Sequence, residues 1–174
     1  MLKLIPIVEG DGEVDAVPVL LRKILDEADR WDVVIGQPKN AHGVGNLGKE
    51  EDIERFVRYA SSEPDCSAVI VIRDNEDACA MFLARTIASY IRKLGLPIPV
   101  AVVCATKEYE AWFLASLESI AGEAIGRFGL PAELEYAGDV EGIRGVKGWL
   151  TRHMPEGRAY KETEDQAPMT ARID

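Results

Sequence analysis

The sequence predicts an α/β fold: a doubly wound, mainly parallel four-stranded sheet with helices on both faces and a C-terminal helical and irregular extension. Two observations predict it. Short apolar runs alternate along the chain with segments whose apolar residues recur at helical spacing, the order that builds βαβ units with right-handed crossovers. The runs themselves are almost continuously apolar, as strands covered on both faces must be.

The elements follow in order. Residues 2–8 form the first strand. Val17, Leu20, Leu21, Ile24, Leu25 and Ala28 then repeat as one helical face, with Asp15 as N-cap and Pro18 tolerated in the first turn. Residues 32–35 make a second strand, followed by a glycine-rich loop over 36–48 and a helix carrying Ile53, Phe56, Val57 and Ala60 on one side. The third strand spans 67–73. A helix over about 77–94, with Phe82, Leu83, Ile87, Tyr90, Ile91 and Leu94, ends at Gly95. A fourth strand covers 99–105. Two further helices are expected over 108–121, burying Tyr109, Trp112, Phe113 and Ile120, and over 139–153, carrying Ile143, Val146, Trp149 and Leu150. From Pro155 onward the chain reads as polar and irregular.

With 174 residues, 47% of them hydrophobic and 29% charged, the chain has the make-up of one ordinary domain with a sizeable core. No apolar run approaches the roughly 20 residues a membrane helix needs. Strand-like sequence starts at Leu2 with no signal-peptide pattern before it, so a cytoplasmic protein without a membrane partner is expected. Cys66, Cys79 and Cys104 have neither disulfide nor zinc spacing and read as buried free thiols. A net charge of −10 argues against unaided tight binding to a phosphate backbone. It leaves room for an enzyme whose metal ions bridge to phosphate, or for a partner that supplies the positive charge.

Two acidic clusters stand out, Glu9-Gly10-Asp11-Gly12-Glu13 and Asp74-Asn75-Glu76-Asp77, each directly after an apolar strand. In an open α/β sheet, ligands collect at the carboxyl ends of strands, so both clusters face one crevice. Two carboxylates about 4 Å apart repel by roughly 4 kcal/mol at an effective dielectric near 20, so protons or a cation must accompany them. Hard oxygen ligands without nearby histidine or thiolate suit Mg²⁺ or Mn²⁺ rather than Zn²⁺. The same residue types also serve as ordinary turn and helix-cap residues.

The EGxxE element Glu9-Gly10-Asp11-Gly12-Glu13 followed by the acids of 74–77 resembles a TOPRIM domain, a Rossmann-like fold. Together with Glu108-Tyr109-Glu110-Ala111-Trp112-Phe113 and Tyr160-Lys161-Glu162-Thr163, the order is similar to that of the DUF4276 proteins, a TOPRIM-related group. The resemblance spans almost the whole chain and implies a TOPRIM-like core over 1–121 with a C-terminal extension over 122–174 packed on it. TOPRIM domains occur in topoisomerases, primases and OLD-type nucleases, where a glutamate after the first strand and a DxD pair after the third hold Mg²⁺ for phosphoryl transfer. The resemblance thus implies a metal-dependent nuclease acting on a phosphodiester of nucleic acid. Glu9 would be a ligand or general acid/base, Asp74 and Glu76 ligands, and Glu13 and Asp77 ligands of a second ion. Here the pair reads Asp-Asn-Glu, and the extra methylene of Glu76 alters the geometry expected of a two-metal site.

Lys107 and Lys161 are candidates to stabilise phosphate charge, and Glu110 to orient a ligand or lysine. Gly43-Val44-Gly45-Asn46-Leu47-Gly48-Lys49 matches the first seven positions of a Walker A loop, but Glu50 replaces the hydroxyl residue that binds Mg²⁺. Gly43, Gly45, Gly48 and Lys49 therefore read either as a substrate-contact loop or as a plain surface turn. The basic series Arg144, Lys147, Arg152 and Arg158 reads as a solvated face. Two rival functions remain. One is a phospho-acceptor receiver with Asp74 as acceptor and Thr106 and Lys107 as partners. The other is a non-enzymatic TOPRIM-like subunit beside a partner ATPase in a defence-type system.

Overall fold

The computed structural model describes residues 1–75, 78–122, 124–125 and 128–174; Glu76 and Asp77, expected as metal ligands, lie outside the described residues. The fold is α/β. The main sheet joins β1 (Leu2–Val8), β2 (Val33–Ile35), β4 (Cys66–Asn75) and β5 (Val100–Thr106), all parallel, in the order β2-β1-β4-β5. A two-residue strand, β3 (Lys39–Asn40), adds to the expected four by pairing with the last residues of β1, Ile7 with Lys39 and Val8 with Asn40.

Side chains alternate across the sheet with the period of two that a pleated strand imposes. From β1 and β4, Ile5, Ile7, Val69 and Val71 enter one core with α2 (Glu50–Ser61) and α3 (Ala80–Lys93). Val8 and Ile72 enter the other core, with α1 (Asp11–Glu27). That second core also takes in Tyr160 and Met169 from the C-terminal segment. The chain steps from β1 to β2 on one side and then crosses to β4 on the other, so the switch point of the sheet lies between the carboxyl ends of β1 and β4.

Several element boundaries differ from the expected ones for local reasons. Helix α1 starts at Asp11, one turn before the expected Asp15 cap, because the Glu13 carboxylate accepts the backbone N–H groups of Glu9 and Gly10. Pro18 therefore sits inside the helix, not in its first turn. The helix expected over 108–121 is two short pieces, α4 (Ala111–Ala115) and α5 (Leu117–Ile120), with a turn at Ser116 that directs Phe113, Leu114, Leu117 and Ile120 into one core. A small antiparallel pair follows, β6 (Ala124–Ile125) and β7 (Phe128–Gly129).

Of the helix expected over 139–153 only α6 (Val146–His153) forms. Gly145 stands before it in the left-handed region at φ +71°, a conformation open to glycine, and ends any helical path from upstream. The polar stretch after Pro155 is ordered: a wide π-type turn (Glu162–Gln166) leads into α7 (Ala167–Thr170), both packed on α1. A buried ion pair between Arg158 and Asp165 holds that turn, and Asp165 also accepts the Lys161 N–H at 2.7 Å. Cys66 and Cys104 are half-buried, whereas Cys79, at the N-cap of α3, is exposed rather than buried; all three are free thiols. Among the described residues no helix is long and apolar enough to cross a membrane.

Candidate functional site

Glu9 directly follows β1 and Asp74 lies near the end of β4, so the parallel register of these neighbouring strands sets the two acids side by side. Glu9 Oε2 accepts the Asp74 N–H at 3.1 Å. Asp74 Oδ1 in turn accepts the Tyr109 N–H at 2.8 Å, which ties the acid to the segment after β5. Glu13, buried in the first turn of α1, brings a third carboxylate; its Oε2 accepts from Glu9 N–H at 2.7 Å and Gly10 N–H at 3.1 Å.

Glu110 supplies a fourth. It is fully buried, and its Oε1 accepts the Tyr160 hydroxyl at 2.9 Å and the Gln166 amide at 3.3 Å. Among the described residues Glu110 Oε2 has no hydrogen-bond partner, and it lies 3.9 Å from the Lys147 ammonium. Lys147 comes from α6 and is paired with Glu162 in the C-terminal turn. One lysine thus faces carboxylates from four different parts of the chain.

The electrostatics follow from this crowding. Burial pushes the Asp74 carboxyl up to about 8, with repulsion from Glu13, Glu9 and Glu110 adding to it and Lys147 opposing. Burial likewise raises Glu13 to about 7, although the Gly10 and Glu9 N–H groups favour its charged form. Glu110 is raised to about 7 by burial, against the pull of Lys147 and the Tyr160 hydroxyl. Burial disfavours the Lys147 ammonium, but Glu110, Glu162 and Asp74 outweigh it and hold the group above its ordinary range. Tyr160 is driven upward by burial and by Glu110, so its hydroxyl stays a proton donor at neutral pH.

Two cavities adjoin at this crevice. The smaller, about 170 Å³, is bordered by Glu9, Glu13, Asp74, Lys147, Glu162 and Gln166, with glycine backbone at Gly10, Gly12 and Gly43. The larger, about 300 Å³, is lined by Asp74, Lys107, Glu108, Arg144, Gly145 and Lys147. Asp74 and Lys147 belong to both. The Glu108 carboxylate in the larger cavity accepts the Gly145 N–H at 2.6 Å and the Val146 N–H at 3.1 Å, which caps α6 from across the site and fixes Lys147 one residue on.

Of the residues singled out in the sequence, Glu9, Glu13, Asp74 and Glu110 meet at this crevice, and Lys107 lines the larger cavity. Gly43 borders the smaller one, because its N–H bonds to Glu9 O at 2.8 Å and extends the β3 pairing. Gly45, within a 3₁₀ turn (Val44–Leu47), and Gly48 and Lys49, between that turn and α2, lie exposed and outside the lining of both cavities. The Lys161 ammonium pairs with Glu164 at 2.7 Å, and Lys161 also lies outside both linings. Lys147, Glu162, Gln166 and Arg144 were not singled out for the site. Lys147 was hidden within a basic series that read as a solvated face, and no local signal distinguishes Gln166. In that series Arg158 also departs from the solvated reading, being buried against Asp165.

The donor chemistry fits a hard cation. The acidic side is built from carboxylate and amide oxygens, and two oxygens there, Glu110 Oε2 and Gln166 Oε1, are buried without a hydrogen-bond partner among the described residues. Among the described residues, no group of three or more His, Cys, Asp and Glu side chains is already gathered as a metal cage. The site therefore offers oxygen donors of the type a hard cation takes, without a preformed cage.

A family model described as a domain of unknown function (DUF4276) matches residues 8–174. No curated protein and no solved structure matches the chain. With the match running from the last residue of β1 through Glu9, Asp74, Lys147 and the C-terminal turn, this chain belongs to the DUF4276 family.

Proposed function

We propose that this protein is a Mg²⁺- or Mn²⁺-dependent phosphoryl-transfer enzyme of TOPRIM-like type, a nuclease that hydrolyses phosphodiester bonds in nucleic acid in the cytoplasm. The observation that carries this reading is the contact between Glu9 and Asp74 across the switch point, with Glu13 and Glu110 crowding the same crevice. Glu9 and Asp74 would hold the ion, with Glu13 beside them and Glu76 and Asp77 added on the motif order. When bound, a divalent ion supplies Lewis-acid stabilisation of charge on the phosphoryl group. The chain's own residues do the rest. Lys107, Arg144 and Lys147 bind and orient a phosphate next to Asp74. Glu110, raised to about 7, can take or release a proton near neutral pH, and the Tyr160 hydroxyl fixes its orientation.

The test is cleavage of single-stranded and duplex DNA and RNA in Mn²⁺. Wild type is expected to cleave at least one of them, and Glu9→Gln and Asp74→Asn each to be slower by 100-fold or more. Cleavage by Glu9→Gln at the wild-type rate removes the basis of the proposal.

One observation favours a second reading. Lys147 already places an ammonium among the carboxylates, as a non-enzymatic TOPRIM-like subunit working beside a partner ATPase could use for structure alone. Under that reading calorimetry detects no binding of Mn²⁺.

A further inference from the structure

Lys147 is set apart from the other cations by its position: among the described residues it and Asp74 line both the acidic cavity and the one that holds Lys107 and Arg144. Its ammonium is engaged on the acidic side, paired with Glu162 and 3.9 Å from Glu110 Oε2. The side chain is nevertheless 43% exposed, so it has room to turn. On the acidic side one ammonium serves the carboxyl groups of Glu9, Glu13, Asp74 and Glu162 around the cavity as well as that of Glu110, and among the described residues both Glu110 Oε2 and Gln166 Oε1 stay buried without a hydrogen bond. A divalent ion takes both carboxylate and amide oxygens as ligands and would satisfy them better than one flexible amine does. On the other side, the larger cavity already holds Lys107 and Arg144 around a space of about 300 Å³, room for a phosphate group.

We propose that Lys147 is an exchangeable counter-ion: a divalent cation displaces its ammonium from the acidic cavity, and the released amine joins Lys107 and Arg144 to bind a substrate phosphate. This rests on the metal-dependent reading above and adds an order to it, the ion first and the phosphate second. A site that gathers a phosphate only after its metal has arrived keeps a protein of net charge −10 from holding anions unproductively.

The test uses the full chain and two probes, the metal alone and inorganic phosphate, each titrated by calorimetry at pH 7. In wild type, saturation with Mg²⁺ is expected to tighten phosphate binding tenfold or more. In Lys147→Gln, which keeps a polar chain of similar length, Mn²⁺ and Mg²⁺ are expected to bind as tightly as in wild type or several-fold more tightly. The Mg²⁺-dependent gain in phosphate affinity is expected to vanish. A second measurement does not depend on the variant's folding: acylation of Lys147 in wild type, followed by mass spectrometry, should speed up at least threefold when Mn²⁺ is added without phosphate. If the metal binds and the phosphate gain persists in Lys147→Gln, or acylation of Lys147 is indifferent to Mn²⁺, the exchange is overturned while the metal reading stands. If neither protein binds a divalent ion, the metal reading fails and the exchange fails with it.

Discussion

Glu9 accepts a hydrogen bond from the backbone N–H of Asp74 at 3.1 Å, although 65 residues separate them in the chain. The contact is a product of topology. It exists because β1 and β4 are parallel neighbours and because each apolar run gives way to an acid near its carboxyl end. Everything else in the crevice is organised around this pair: Glu13 through the Glu9 N–H, Tyr109 through Asp74 Oδ1, and Lys147 through charge.

The first prediction concerns pH. Glu13, Asp74 and Glu110 have carboxyls raised to about 7, 8 and 7, above their ordinary values of 4.5, 3.8 and 4.5. The folded state therefore holds protons that the unfolded chain releases. The stability these groups contribute is complete below about pH 4 and is lost as pH rises through about 8. Urea unfolding should give a stability lower at pH 8 than at pH 5 by about 3 kcal/mol, a figure that allows for relaxation around the carboxylates. A profile that is flat or rises over this range contradicts the arrangement.

Asp74→Asn removes the most strongly raised carboxyl while keeping an oxygen for the Tyr109 N–H. The variant should be about 1–2 kcal/mol more stable than wild type at pH 8.5 and close to it at pH 5. Divalent-ion affinity and any cleavage activity should fall together. Loss of stability at both pH values would show that Asp74 acts as a structural anchor.

Gly12 stands where α1 meets the C-terminal turn. A Cβ there would lie 2.2 Å from Gln166 Oε1, 2.7 Å from Glu162 Cβ and 2.9 Å from the Glu162 backbone carbonyl carbon. Gln166 can swing aside, but the Glu162 backbone can yield only if the turn shifts. Gly12→Ala should therefore cost about 1–3 kcal/mol and faster amide hydrogen exchange should appear over 160–170. Unchanged exchange in that segment would mean the close approach is not maintained in solution.

Arg158 and Asp165 form a buried pair that holds the same turn. Asp165→Ala takes the buried carboxylate from the guanidinium, which keeps the half-exposed Glu164 carboxylate at 3.7 Å, and should cost about 2–4 kcal/mol in chemical denaturation. A cost below about 1 kcal/mol would place the pair in solvent.

The sheet and the pair Glu9 and Asp74 were legible because continuous apolar runs fix the strands and the strand ends fix the crevice. Glu110 was legible as a carboxylate on the same edge, though not as a group 0% exposed. Lys147 was not legible, because α6 begins only at Val146: the Glu108 carboxylate and the left-handed Gly145 set its start, and neither is a local pattern. The C-terminal turn was hidden for another reason. Arg158, Asp165, Gln166 and Thr170 are polar residues buried through partners such as Asp165 on Arg158 and Tyr109 on Thr170. A hydropathy pattern reads such residues as solvent-facing, since it cannot see a partner 61 residues away.

Under the proposed function, Glu9 just after β1 and Asp74 in β4 share one divalent ion. The most direct measurement is a crystal soaked in Mn²⁺ and recorded for anomalous scattering. A shared ion should give a single strong peak at about 2.1–2.3 Å from carboxylate oxygens of Glu9 and Asp74, with the Lys147 ammonium moved off Glu162. A fully soaked crystal with no peak at these two residues, and Lys147 still paired with Glu162, would contradict it.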